Sequence, residues 1–141
     1  MPVRSASAVW EGDLVKGKGT VKGASGAFTH PYSFGTRFEN APGTNPEELL
    51  GAAHAGCYAM ALAHTLSGAR FAVKRVDAAA DVTIDKVPEG FKITKIKLTV
   101  RAEVTGVDAA KFGEIATAVK GGCPVSQALS AVPIELDAKL V

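Results

Sequence analysis

Two cysteines, three histidines and a handful of charged side chains are the groups in this 141-residue chain whose chemistry could go beyond packing. Cys57 lies in the middle of a long apolar stretch. A free cysteine there either packs as a small hydrophobe or, given a base or a cation, serves as a nucleophile. Cys123 stands directly before Pro124. A Cys-Pro pair reads as a helix start, where outward-pointing backbone N–H groups stabilise a thiolate and pull its pKa below the free value of about 8.5. The plain alternative is that Cys123 only caps that helix. His54, three residues before Cys57, and His64, seven after it, fall on the Cys57 side of a helix. That permits a Cys–His nucleophile pair. A zinc site is also conceivable, but one cysteine with histidines at those helical spacings matches no compact zinc motif. On local sequence, Arg37 reads as a surface charge, and Glu47 and Glu48 read as the acidic first turn of a helix. Phosphate loop, dinucleotide fingerprint and nucleophile-elbow serine are all missing.

The elements that must hold these residues follow from pattern. Asn45-Pro46-Glu47-Glu48 is a strong helix start. Asn45 can cap, Pro46 fits the first helical position, and two carboxylates suit the positive end of the helix dipole. The helix runs to about Leu66, stops near Ser67-Gly68, and at 1.5 Å per residue is about 30 Å long. It is apolar or small nearly all round, which predicts a central helix buried on most faces. Before it, Ala8 to Val15 is a short strand broken by Gly12, and Tyr32 to Phe38 is a second, aromatic strand. After it come a strand from Val73 to Val87, a turn at Pro88-Glu89-Gly90 and a strand from Phe91 to Val104. Ile96, Leu98, Val100, Ala102 and Val104 share one face, whereas Phe91 and Ile93 have the other parity; either a bulge near Thr94-Lys95 reconciles them or the strand is partly covered on both sides. Asp108 caps a helix to about Lys120, Gly121-Gly122 ends it, and a short helix runs from Cys123-Pro124 to about Ser130. Ile134 to Val141 alternates as a last strand. This order is α+β with a mainly antiparallel sheet and a long buried central helix, in one domain spanning 1–141.

Bulk composition closes other routes. Sixteen Lys+Arg against fourteen Asp+Glu, well dispersed, make no nucleic-acid footprint. Two cysteines in this length are no disulfide scaffold. Leu49 to Leu66 carries no formal charge, but its Ala and Gly content and its two histidines argue for a core helix over a membrane span. Met1 to Trp10 lacks the basic-then-apolar pattern of a signal peptide, so the expected location is the cytoplasm.

Four segments together resemble one family. They are Trp10-Glu11-Gly12; Thr36-Arg37-Phe38; Thr44-Asn45-Pro46-Glu47-Glu48-Leu49 with Ala55-Gly56-Cys57; and Gly122-Cys123-Pro124-Val125-Ser126. Their order and layout are similar to the osmotically inducible protein C (OsmC) family, which includes the organic hydroperoxide resistance (Ohr) proteins. The run Gly-Ala-Ala-His-Ala and the segment from Gly122 to Gln127 look more like the OsmC branch. The resemblance implies a thiol-dependent peroxidase in which Cys57 is the peroxidatic cysteine and Cys123 the resolving one. It assigns Arg37 as the catalytic arginine and Glu47 as its carboxylate partner. It further implies an intertwined homodimer, a hydroperoxide substrate and a dithiol reductant such as a protein-bound lipoyl group, with no metal or flavin cofactor. Residue chemistry fits this. A thiol in an apolar helix keeps its proton, and a guanidinium held by a carboxylate would supply the stabilisation that the thiolate lacks. Three rivals remain at this stage: a redox-sensing or binding protein that uses the same cysteines without turnover, a Cys57–His54 hydrolase, and a structural domain with inert thiols.

Overall fold

A three-stranded antiparallel meander opens the chain in the computed structural model, which describes residues 1–141. β1 (Ala6–Glu11) pairs with β2 (Lys18–Gly23), and β2 pairs with β3 (Thr29–Tyr32). Gly12 ends β1 with φ +94°, a left-handed conformation that strains any residue with a Cβ. The expected aromatic strand over 32–38 does not form. After Tyr32 the chain turns into a short helix, α1 (Phe34–Phe38). Its cause is a capping box: the Ser33 hydroxyl accepts from the Thr36 N–H, and the Thr36 hydroxyl accepts from the Ser33 N–H. Arg37 therefore sits in the last turn of a helix, not at a strand end.

The chain folds as two units, Met1–Leu49 and Leu50–Val141. α2 (Pro46–Gly68) begins in the first and runs through the second. Asn45 caps it as expected, its Oδ1 accepting from the Glu48 N–H at 2.8 Å. The Asn45 amide also donates to the Thr36 carbonyl at 2.9 Å, which ties the end of α1 to the start of α2.

In the second unit, β4 (Ala72–Val87) and β5 (Gly90–Thr105) form a long antiparallel hairpin. Thr83 pairs with Lys95 and Ile84 with Ile93, so Thr94 is the extra residue of a bulge at the predicted place. β6 (Ile134–Leu140) adds to the other side of β5 in parallel. Ile96, Leu98, Val100 and Ala102 are fully buried on one face of β5. Leu98, Val100 and Ala102 pack with Tyr58, Leu62 and Leu66 of α2 and with Phe112, Ile115, Ala116 and Val119 of α3 (Ala109–Gly122). Each large apolar side chain buried this way contributes about 1.5–3 kcal/mol. The Tyr58 hydroxyl donates to the Ala116 carbonyl at 2.9 Å, joining α2 to α3 inside the core. Asp108 caps α3 by accepting from the Lys111 N–H, and α4 (Pro124–Ala128) follows at once.

α2 is less enclosed than its composition predicts. One stripe, Gly51, His54, Tyr58, Leu62 and Leu66, is buried. Ala52, Ala53, Gly56 and Met60 are exposed, Met60 at 76%. A single 141-residue chain covers one side of so apolar a helix and leaves the other open. No helix is long and apolar enough to cross a membrane.

Candidate active site

The two cysteines, far apart in sequence, meet in the second unit. Their Sγ atoms lie 2.9 Å apart, and both thiols are free. A disulfide needs about 2.05 Å, so bond formation requires under an ångström of further approach. Cys57 is half-buried on α2, whereas Cys123 is sealed at 0% exposure. A reagent from solvent reaches the first sulfur more readily than the second.

Their electrostatics differ as well. Burial raises the Cys57 thiol, and the contact with Cys123 raises it further against a smaller opposing effect of the Val125 N–H. Burial also acts upward on Cys123. There, however, the Cys57 thiol, the Ser126 backbone N–H and hydroxyl, and the Val125 N–H together outweigh it and bring the pKa below the ordinary value. Either thiol could donate across the 2.9 Å contact. Of the pair, Cys123 thus has the lowered thiol pKa and Cys57 the raised one. Cys123 itself is the N-cap of α4, with Pro124 at the first helical position. No capping hydrogen bond of ordinary geometry forms through its side chain, but the donors of the first turn still bear on the sulfur.

Arg37 and Glu47 come together in the first unit. Arg37 Nη2 donates to Glu47 Oε1 at 2.8 Å, and Arg37 Nε lies 3.2 Å from both carboxylate oxygens. The Glu47 side chain is 7% exposed and that of Arg37 33%. A planar fork on a buried carboxylate fixes the guanidinium in one orientation. Its Cζ also lies 5.2 Å from the Phe38 ring centroid. Trp10, Leu14, Tyr32, Phe34 and Phe38 line a cavity of about 200 Å³ beside Arg37, with Trp10 and Tyr32 ring centroids 5.3 Å apart. Glu48 is exposed, and its N–H is held by Asn45.

The histidines do not pair with Cys57 as the helical spacing allowed. His54 is fully buried, and its Nε2 lies 2.7 Å from the Ser126 hydroxyl of α4. Burial lowers its pKa, so the ring is neutral near pH 7. His64 is exposed and borders a cleft of about 290 Å³ that Cys123 also lines. Sequence reasoning missed Ser126. It stood in the segment Gly122 to Ser126, three residues after Cys123, but nothing in the sequence paired it with His54.

This α+β fold brings two free thiols together at a helix junction. The family model described as OsmC-like protein matches residues 38–137. The chain is 51% identical to "Peroxiredoxin OsmC" of Escherichia coli (strain K12) over 138 residues, 97% of this chain and 96% of that one. A relative of the same name from Shigella flexneri matches to the same extent. Among solved structures, the organic hydroperoxide resistance protein OsmC of Legionella pneumophila superposes with a TM-score of 0.74 at 22% identity, covering 99% of each chain. The organic hydroperoxide resistance protein OhrB of Bacillus subtilis gives 0.72 at 23%, covering 97% of this chain and 98% of that one. These two likenesses speak for the fold. The chain belongs to the OsmC-like family. It is a cysteine-based peroxidase, acting on a peroxide at the expense of a reductant.

Proposed function

We propose that this peroxidase reduces organic hydroperoxides through a sulfenic acid on Cys57, which Cys123 then closes to a disulfide. The observation that carries the reading is the 2.9 Å approach of the two sulfurs, one reachable and one sealed. The Cys57 thiolate attacks the terminal oxygen of R–O–O–H. The O–O bond breaks, the leaving alkoxide takes a proton to become an alcohol, and Cys57 is left as S–OH. The Cys123 thiolate attacks that sulfur, the S–O bond breaks, and hydroxide leaves as water once protonated. A dithiol reduces the resulting disulfide in two exchange steps and is itself oxidised to a disulfide.

Cys57 is held protonated by burial and by its neighbour, so attack requires a cation that its own surroundings do not provide. In this reading that cation is Arg37, and Glu47 fixes it by the bidentate pair. The residues assigned to catalysis are thus Cys57, Cys123, Arg37 and Glu47, drawn from the whole of a single functional domain over 1–141. The reductant is a dithiol of the lipoyl type, and a cycle that consumes dithiol belongs in a reducing compartment, the cytoplasm. Recovery of the protein in another cell fraction would count against that placement.

The aromatic cavity beside Arg37 supports an organic substrate, since its apolar walls gain from an alkyl or aryl group that hydrogen peroxide lacks. With a dithiol in excess, kcat/KM for cumene hydroperoxide should exceed that for hydrogen peroxide by about tenfold or more, which corresponds to burying a few carbons. Equal values would remove the substrate preference from the proposal.

The working form is proposed to be a homodimer. The exposed apolar side of α2, with Met60 at 76% exposure, is the face that a second copy would cover. Sedimentation should give twice the 14.5 kDa chain mass, and Met60→Glu should lower it toward one chain. A native protein that sediments as a single chain at micromolar concentration contradicts the dimer.

A further inference from the structure

Trp10 is the one tryptophan of the chain, and the segment it opens, Trp10-Glu11-Gly12, has no part in the cycle above. It stands on β1, with Tyr32 two strands away on β3 and Gly19 of β2 between them in register. Adjacent strands lie about 4.8 Å apart, so a side chain on the middle strand normally separates those on the outer two. Here the middle position has no side chain. The two rings approach across Gly19 to a centroid separation of 5.3 Å, tilted by 55°, and Gly19 is buried. A Cβ on Gly19 would lie 2.6 Å from Trp10 Cε3 and 2.6 Å from Tyr32 Cε1. That is far inside the roughly 3.5–4.0 Å at which carbon atoms pack. The glycine is what lets both rings line the cavity beside Arg37 as neighbours.

Another edge of the Trp10 ring holds a loop. The indole Nε1–H donates to the carbonyls of Gly12 and Asp13, at 3.1 and 3.2 Å. The Asp13 carbonyl also accepts from the Gly17 N–H at 2.9 Å, and Asp13 Oδ1 accepts from the Lys16 N–H at 2.6 Å. These bonds fix residues 12–17 as a tight turn against the indole. A Cβ on Gly17 would lie 2.8 Å from Trp10 Nε1, so no side chain fits there either. The turn presents Leu14, which is 52% exposed and lines the same cavity as Trp10. An apolar side chain on a turn pinned in this way has its place set by the indole.

We infer that Trp10, seated by Gly19 and bonded to the 12–17 turn, is the specificity-determining residue for the organic group of the substrate, and that it selects a compact aryl group. Trp10 walls the cavity itself and positions Leu14 as a second wall. The remaining walls are aromatic too: Tyr32, and Phe34 with Phe38 at a ring-centroid distance of 5.0 Å. An aryl guest gains offset or edge-to-face contacts with such rings that an alkyl group lacks. The cavity, about 200 Å³, is smaller than the roughly 300–1,000 Å³ of pockets that enclose drug-sized ligands. It suits one ring with short substituents, and Arg37 on its wall then stands beside the hydroperoxide end of the bound molecule. The inference deepens the organic-hydroperoxide reading above and rests on it.

The test begins without peroxide. Cumyl alcohol, the product that cumene hydroperoxide leaves on reduction, should change the fluorescence of the single tryptophan in a saturable way. Tert-butanol should bind at least about tenfold more weakly, and Gly19→Ala should weaken cumyl alcohol by a similar factor. Equal affinity for the two alcohols overturns the aryl selection. The second readout is the ratio of kcat/KM for cumene hydroperoxide to that for hydrogen peroxide. Leu14→Ala, on an exposed turn where folding is not at stake, should lower the ratio about three- to tenfold, the scale of one or two buried methylenes. Val15→Ala, on the same turn and 65% exposed, should keep the wild-type ratio, whereas a merely structural role of the turn would move both. Trp10→Phe removes both indole hydrogen bonds. If Trp10 acts partly through Leu14, the double variant Trp10→Phe, Leu14→Ala should fall by less than the product of the two single effects. Simple multiplication overturns the positioning role, and an unchanged ratio in folded Gly19→Ala and Leu14→Ala overturns the inference as a whole. Equal wild-type values for the two peroxides would instead remove the organic preference itself. That failure is seen without any variant, and the alcohol titration remains independent of it.

Discussion

Cys57→Ser should lower peroxide turnover with excess dithiol by at least about a thousandfold, the scale of removing the nucleophile from a site that acts as a unit. Serine oxygen cannot be carried to a sulfenic acid, so the cycle has no first step. Cys123→Ser should behave differently. It should still react once with cumene hydroperoxide and then stop, with Cys57 as a sulfenic acid trappable by dimedone. The asymmetry is expected from burial: Cys57 is half-buried and Cys123 is sealed. The electrostatic bias runs the other way, since Cys123 carries the depressed pKa and Cys57 the raised one. That opposition makes the pair of variants informative. If Cys57→Ser retained single-turnover reaction and Cys123→Ser lost it, the deeper sulfur would be the one that meets peroxide, and the assigned roles would have to be exchanged.

Arg37→Met carries the second large effect. Loss of one preorganised charge at a reacting centre costs about 100- to 1000-fold, and kcat/KM for cumene hydroperoxide should fall by that factor. Stability should fall too. The Glu47 side chain is 7% exposed and would be left as a buried carboxylate without its partner. Breaking a buried pair on one side costs about 3–5 kcal/mol, here somewhat less because Arg37 is one-third exposed. The two effects separate in the double variant Arg37→Met, Glu47→Leu. Removing both charges should return most of the stability, because replacing a buried ion pair by apolar groups is often neutral. Activity should not return. Recovery of activity together with stability would show that Arg37 serves the fold and not the thiolate, which would take it out of the catalytic set.

Local rules carried much of the fold in the sequence. The Asn45 cap, the Pro88-Glu89-Gly90 turn and the inward face of β5 were all legible, because each depends on residues near one another in the chain. The parity conflict between Phe91 and Ile93 on one side and the Ile96 series on the other left a bulge or a strand covered on both sides, and the bulge at Thr94 is the one that forms. At residues 32–38 the aromatic content suggested a strand, yet the reciprocal Ser33–Thr36 cap made a helix and moved Arg37 with it. Two hydrogen bonds to otherwise orphaned backbone and side-chain groups prevailed over β propensity, which is a weak preference. Burial of α2 was overstated, since composition reports how apolar a helix is but not how many neighbours one chain can bring to it.

Legibility of the site followed the same division. Spacing could not bring Cys57 to Cys123, because their contact is made by α4 folding back on α2. Only family resemblance joined them in the sequence. The helical spacing of His54 suggested a partner in Cys57, three residues on. In the folded chain the ring reaches Ser126 instead, a long-range contact that no local pattern encodes.

The most direct test of the two-cysteine peroxidase is a single-turnover titration of the fully reduced protein with cumene hydroperoxide, counting free thiols. The account predicts that one equivalent of peroxide removes both thiols of each chain, that a dithiol restores them, and that Cys57→Ser loses none. Retention of both thiols by the wild-type protein at one equivalent, with reaction no faster than that of a free cysteine, would contradict it.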